Sequence, residues 1–114
     1  MLTRLSEELG SPGGARRVVQ AWLDELPGRL QDARECAAGG EMARLREVTH
    51  TLKSTCALVD ARTAAELAAA LERRAAEGEM LQPREVDRLV RVAEHAATVV
   101  SAWPQEGEPP GRDA

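Results

Sequence analysis

Apolar residues recur at steps of three and four along four long segments of this 114-residue chain. Breaks rich in Gly and Pro separate these segments, at residues 10–14, 39–40 and 78–83. A spacing of three and four matches the period of an α-helix, whereas a half-buried strand alternates every second residue. The chain has no Phe and no Tyr, so Ala, Leu and Val must fill its core. Such a composition favours closely packed helices over a sheet.

The pattern predicts an all-α protein with one short and four long helices. They are expected at about 2–9, 12–37, 41–59, 61–77 and 83–103. Amphipathic helices joined by short links pack as an antiparallel, up-down-up-down four-helix bundle, here with a short extra N-terminal helix. Each helix would be marginal alone in water, so burial of the apolar stripes must supply the stability.

Local signals refine these boundaries. Pro27 lies inside an otherwise helical pattern and is expected to kink the helix or split it in two. The segment at 61–77 has two candidate starts, a cap by Asp60 or a capping box over residues 63–66. Trp22 and Trp103 are expected to anchor the core near opposite ends of the fold.

Composition restricts the classes of function. Residues 1–103 are expected to form one domain, and 104–114, rich in Pro and Gly, a disordered tail or linker. The net charge is -4, and no basic cluster in the sequence stands apart from acidic residues, which argues against nucleic-acid binding. There is no apolar run of membrane-spanning length and no signal-peptide pattern, so a cytoplasmic location is expected. Cys36 and Cys56 show no metal-like spacing and are expected to pack as small apolar residues.

His50 is the strongest candidate for a functional residue. With about 100° per residue, its side chain points about 160° away from the apolar stripe of its helix, towards solvent. Four other residues share its face, namely Arg46, Lys53, Ser54 and Ala57. The small side chains of Ser54 and Ala57 leave room for a partner protein to approach the imidazole.

Phosphoryl transfer suits this arrangement. A neutral imidazole is a competent nucleophile near neutral pH, and Lys53 places a positive charge within one turn, where it can neutralise phosphoryl oxygens. The sequence has no Gly-rich phosphate loop and no acidic cluster for Mg²⁺, so a partner must supply the metal and the other phosphoryl-bearing residue. The alternative is a solvated surface histidine. That is the preferred interpretation of His95, which has no cation three or four residues later.

The residues around His50 resemble the signature of histidine-containing phosphotransfer (HPt) domains. The stretch is His50-Thr51-Leu52-Lys53-Ser54-Thr55-Cys56-Ala57-Leu58-Val59-Asp60-Ala61, and it is followed by Leu67-x-x-x-Leu71-Glu72 and Gly78. Upstream, Leu23-x-x-x-Pro27 and the turn Gly39-Gly40-Glu41 also fit, so the resemblance covers roughly residues 2–103. Two positions depart from it, because Ser54 and Asp60 stand where the family usually has Gly. Asp tolerates a left-handed turn better than most residues, so the turn at Asp60 is expected to survive.

The resemblance implies a four-helix bundle that shuttles phosphoryl groups between receiver-domain aspartates in multistep phosphorelays. His50 would be the phosphorylated residue, Lys53 the cation that stabilises the phosphate, and Ser54 a position that permits partner approach. Receiver domains or a sensor histidine kinase would be the partners, with no cofactor on this chain and Mg²⁺ on the receiver. Neither a nucleic acid nor a membrane is expected as a partner, and a monomer is expected. Two alternatives stay open: a non-catalytic helical adaptor, and the N-terminal domain of a larger histidine kinase.

Overall fold

The computed structural model describes residues 12–102, and within that range it contains four α-helices and no strand. They are α1 (Pro12–Ala38), α2 (Met42–Leu58), α3 (Arg62–Ala76) and α4 (Pro83–Ser101). The all-α prediction is confirmed, and the predicted helix ends differ from these by at most two residues. The predicted helix at 2–9, the tail at 104–114 and Trp103 lie outside the described residues.

The helices pack in a ring around one core. α1 packs on α2, α2 on α3, α3 on α4, and α4 on α1, with the most extensive contact between α2 and α3. The stripes predicted from the sequence line this core, and Leu45, Leu52 and Leu89 are completely buried in it. Ala residues occupy much of the remaining interface, which lets the helix backbones approach closely. The described chain is therefore a helical bundle whose hydrophobic burial fixes the outward direction of every polar face.

Trp22 and the two cysteines lie in the core, as expected. Trp22 is 3% exposed, and Cys36 and Cys56 are buried free thiols. Burial raises the pKa of both thiols, although the Trp22 indole beside Cys56 opposes this at one of them. Both cysteines therefore stay protonated near neutral pH, as packing residues rather than reactive thiolates.

Three helices end in the same backbone arrangement, in which a left-handed residue closes the last turn. That residue is Gly40 after α1, Asp60 after α2 and Gly78 after α3, with φ of 68°, 62° and 88°. At the end of α2, the Asp60 N–H donates to Ala57 O at 3.0 Å and the Ala61 N–H donates to Cys56 O at 2.8 Å. This pair of bonds is a Schellman motif. The expectation that Asp60 preserves a turn usually made by Gly is confirmed.

One local expectation was wrong, and another is narrowed to one of its two alternatives. α3 starts at Arg62 after Ala61, with no side-chain cap, so neither Asp60 nor a box over 63–66 caps it. The reason is that Asp60 is used to close α2, and its carboxylate bonds the Arg62 side chain at 3.0 Å instead. Of the two effects expected of Pro27, a kink or a split, the split is excluded, because α1 runs unbroken through this residue. Because Pro27 is exposed, water can reach the backbone carbonyl that its ring leaves without a helical donor.

Candidate functional site

His50 lies on the exposed face of α2, with 59% of its side chain accessible. The residues on either side of it in sequence determine this direction. Thr49 is completely buried, and its hydroxyl donates to Leu45 O at 2.9 Å and to Arg46 O at 3.0 Å, within its own helix. Leu52 is also fully buried, so the face opposite to it must carry His50 outwards.

The other predicted site residues share that surface. Arg46, Ser54 and Ala57 are exposed, as the helical period predicts. Lys53 is 38% exposed and leans towards α3. The structure brings His50 and Lys53 together through a common partner, whereas Arg46 and Ser54 make no side-chain hydrogen bond or ion pair among the described residues.

The common partner is Glu72 of α3, which the sequence argument did not assign to the site. Its Oε2 lies 2.7 Å from His50 Nδ1, and its Oε1 lies 2.8 Å from Lys53 Nζ. One carboxylate thus holds both basic side chains, one on each oxygen. With only 18% of its side chain exposed, Glu72 is the most shielded member of the group.

The charge state of Glu72 determines the chemistry of the imidazole. The hydrogen bond from Lys53 holds the pKa of the Glu72 carboxyl below its usual range, with a smaller contribution from His50, while partial burial opposes both. Near neutral pH, Glu72 is therefore ionised and accepts hydrogen bonds only. His50 Nδ1 must carry the proton in their shared bond. In the neutral ring the lone pair then resides on Nε2, which points away from Glu72 and is the nitrogen that an approaching group can reach.

An open cleft of about 540 Å³ adjoins the imidazole. Its lining comprises Ala43, Arg46, Glu47, His50, Thr51 and Glu72. The cleft begins at Ala43, about two turns before His50 on α2, and reaches α3 only at Glu72. It therefore gives a partner side chain a route to the ring beside the exposed charges of Arg46 and Glu47.

Glu72 was missed because its role depends on a contact between two helices. The sequence shows it only as the last residue of Leu67-x-x-x-Leu71-Glu72, a motif that carries no chemical role by itself. Its distance of 22 residues from His50 lies beyond any helical spacing rule.

Among residues 12–102, no three His, Cys, Asp or Glu side chains come together as metal ligands. None of the helices in the described range is both long enough and apolar enough to span a membrane.

Comparison with known proteins gives one match. The family model described as "Hpt domain" matches residues 17–103, which is well over half of the chain and includes all the site residues. Neither the curated proteins nor the solved structures contain a match. Hpt domains are phosphocarriers rather than catalysts, and they interact with receiver domains and kinases in phosphorelays. The chain belongs to the Hpt domain family, whose members carry out phosphotransfer in two-component signalling.

Proposed function

We propose that this protein is an intermediate of a multistep phosphorelay, which accepts a phosphoryl group on His50 and passes it to a receiver domain. The observation that carries the proposal is an exposed imidazole whose Nδ1 is bonded by Glu72, so that Nε2 is the nitrogen available for reaction. The donor is a receiver-domain aspartyl phosphate or a histidine kinase. The expected antiparallel, up-down-up-down order of the helices belongs to the same proposal. It is supported by the ring of helix contacts and by the short links between helices.

The transfer step follows from the tautomer. The Nε2 lone pair attacks phosphorus in line, a P–N bond forms, and the bond from phosphorus to the aspartyl oxygen breaks with its electron pair leaving on the carboxylate. The Nδ1–H stays bonded to Glu72. As the ring gains positive charge, the nearby carboxylate stabilises it, because charge-assisted hydrogen bonds strengthen with the charge. The reverse sequence delivers the phosphoryl group to the next aspartate.

Lys53 supplies the positive charge for the phosphoryl oxygens. Its ammonium group already lies in the site, held by Glu72 Oε1 at 2.8 Å. Three N–H donors allow it to keep that bond and bond a phosphoryl oxygen as well. We assign Arg46, Ser54 and Ala57 to partner contact, because they are exposed beside His50 without taking part in its hydrogen bonds. The partner supplies Mg²⁺ and the aspartate, and this chain acts as a monomer without an ATP site of its own.

The test is phosphoryl acceptance from a radiolabelled, phosphorylated receiver domain by wild type, His50→Gln and His95→Gln. His95 is a matched control, because it is also exposed but lies on α4. Wild type and His95→Gln should acquire an acid-labile, alkali-stable phosphate, and His50→Gln should not. The His50 variant should fold normally, because an exposed side chain contributes little to stability.

Two results would contradict the proposal. Label on His50→Gln would place the phosphoryl group elsewhere. Absence of label on folded wild type, across a panel of receivers and kinases, would favour the adaptor that binds a partner without taking phosphate. Lys53→Ala tests the role of Lys53 as the cation for the phosphoryl oxygens. Slower acceptance or a shorter phosphohistidine lifetime is expected, and unchanged rates in both directions would remove Lys53 from the mechanism.

A further inference from the structure

Basic side chains form a stripe along the exposed face of α4. Arg84, Arg88, Arg91 and His95 follow one another at steps of four, three and four, and all four are exposed. This spacing places them on one line of the helix, about 16 Å long. We call these four residues the α4 basic stripe.

Two of the three acidic residues next to the stripe in sequence are engaged elsewhere, and the third, Glu94, is exposed beside His95. Glu85 forms an ion pair with Arg74 of α3, and Asp87 lies 3.2 Å from Arg34 of α1. In the part of the chain that the structure describes, none of the three arginines of the stripe has an ion-pair partner. The sequence interleaves the two signs of charge, as expected, but helix packing directs the carboxylates of Glu85 and Asp87 towards other helices.

A cleft of about 270 Å³ adjoins the first half of the stripe, between α3 and α4. Leu67, Ala70 and Leu71 form its apolar lining on the α3 side. Arg84 and Arg88 lie along its α4 edge. The ion pair of Arg74 and Glu85 completes the lining, so the cleft combines an apolar side with two arginines of the stripe.

This surface is separate from His50. The imidazole and its cleft lie between α2 and α3, whereas α4 packs chiefly on α1 and α3. On α3, Glu72 faces α2, and Leu67, Ala70 and Arg74 face α4. A partner bound to the stripe would leave the transfer site open.

We propose that the α4 basic stripe and its cleft dock an acidic, amphipathic helical segment of a partner protein. Leucine-type side chains at steps of three and four would fill the groove over Leu67 and Ala70, and carboxylates beside them would pair with Arg84, Arg88 and Arg91. The apolar side of the cleft favours a helical protein segment over a nucleic acid, because a phosphate backbone has no apolar side chains to cover Leu67 and Ala70. The bound segment tethers its protein to the phosphocarrier while His50 exchanges phosphoryl groups with a receiver.

The probe is a fluorescent 14-residue synthetic helical peptide with Leu at steps of three and four and Glu on the flanking positions. Its binding is followed by anisotropy against wild type, R84S/R88S and R17S/R73S. The last is a charge-matched control, because Arg17 and Arg73 are exposed and have no ion pair among the described residues. Ala70→Gln narrows the groove and leaves every charge in place.

We expect wild type to bind the peptide, with affinity falling as NaCl rises from 50 to 500 mM. R84S/R88S should weaken binding about tenfold, the sum of two exposed ion pairs. Ala70→Gln should also weaken it, while R17S/R73S and His50→Gln should bind within about twofold of wild type. Since the peptide does not need His50, binding can succeed where phosphotransfer fails, and the two proposals are tested separately.

The proposal is overturned if wild type does not bind the peptide, or if R17S/R73S loses as much affinity as R84S/R88S. It is also overturned if Ala70→Gln binds as wild type does, because the groove would then have no part in recognition. A single-stranded oligonucleotide and vesicles containing phosphatidylserine are run in parallel. Tighter binding of either one, lost in R84S/R88S, would identify a different class of partner.

Discussion

Replacement of Glu72 is the sharpest test of how the site works. The carboxylate accepts a hydrogen bond from His50 Nδ1 at 2.7 Å. It should therefore stabilise the positive charge that develops on the ring during transfer. Two opposite charges about 4 Å apart attract by about 1 kcal/mol in water and about 4 kcal/mol at an effective dielectric constant of 20. The ring is largely exposed and the carboxylate largely shielded, so the value should lie between these limits. A net contribution of about 1.5–3 kcal/mol is also typical of a hydrogen bond to a charged group.

Glu72→Ala should therefore slow phosphoryl acceptance roughly ten- to a hundredfold. Glu72→Gln can still accept the Nδ1–H bond but brings no charge, so its rate should fall between wild type and the Ala variant. The assay is rapid-quench transfer from a phosphorylated receiver under single-turnover conditions. Glu47→Ala is the control, because Glu47 lines the same cleft without a bond to His50. Equal rates for wild type and Glu72→Ala would refute the reasoning.

A double-mutant cycle that combines Glu72→Ala with Lys53→Ala separates two ways in which Glu72 can affect the rate of phosphoryl acceptance. If Glu72 acts through the imidazole, its removal should cost the same factor with or without Lys53. If it acts only by positioning the ammonium group, the cost should vanish in the Lys53→Ala background. Melting temperatures of all variants serve as the folding control. Loss of two exposed ion pairs should lower them by only a few degrees.

Two further predictions concern stability. Asp60→Ala should be less stable than Asp60→Gly by about 1 kcal/mol, because both remove the carboxylate but only Ala is strained at φ 62°. Thermal melts should then differ by about 4–8 °C, and equal melting temperatures would show that the turn had changed conformation. The depressed pKa of Glu72 means that its ionised form stabilises the fold above its ordinary value of 4.5, and this contribution is lost as pH falls through the lower folded value. The difference in melting temperature between wild type and Glu72→Gln should thus shrink as the pH falls below about 4.5, and a difference that kept growing below that pH would contradict this sign.

Periodicity predicted most of the fold, because one stripe per helix is buried and the stripes are long. The same period placed His50, Ser54 and Ala57 on the exposed face of α2 correctly. The start of α3 was predicted wrongly, because capping signals are short and Asp60 had two alternative uses. Leu81 shows a similar failure: it lies in a segment that reads as a break, yet it is 1% exposed and its N–H bonds Met42 Sδ at 3.3 Å.

The remaining gaps all concern contacts between helices. Glu72 reaches His50 across α2 and α3, and Glu85 reaches Arg74 across α3 and α4. Neither contact has a signal in one sequence, because no helical period connects residues on different helices. For the same reason, the sequence around Arg88 does not show that the carboxylates of Glu85 and Asp87 pair with other helices.

Because Glu72 belongs to α3, the hydrogen bond that selects the tautomer of His50 is a tertiary contact and not part of the motif around it. A peptide with the sequence of α2 alone would keep the imidazole and the ammonium group but lose the acceptor that selects the Nδ1–H tautomer. Its ring would divide between two protonation patterns, with the lone pair on Nε2 in only part of the population. Under the proposed function, any event that pulled α3 away from α2 would reduce phosphoryl uptake without touching His50, and the temperature dependence of transfer should follow the docking of these two helices.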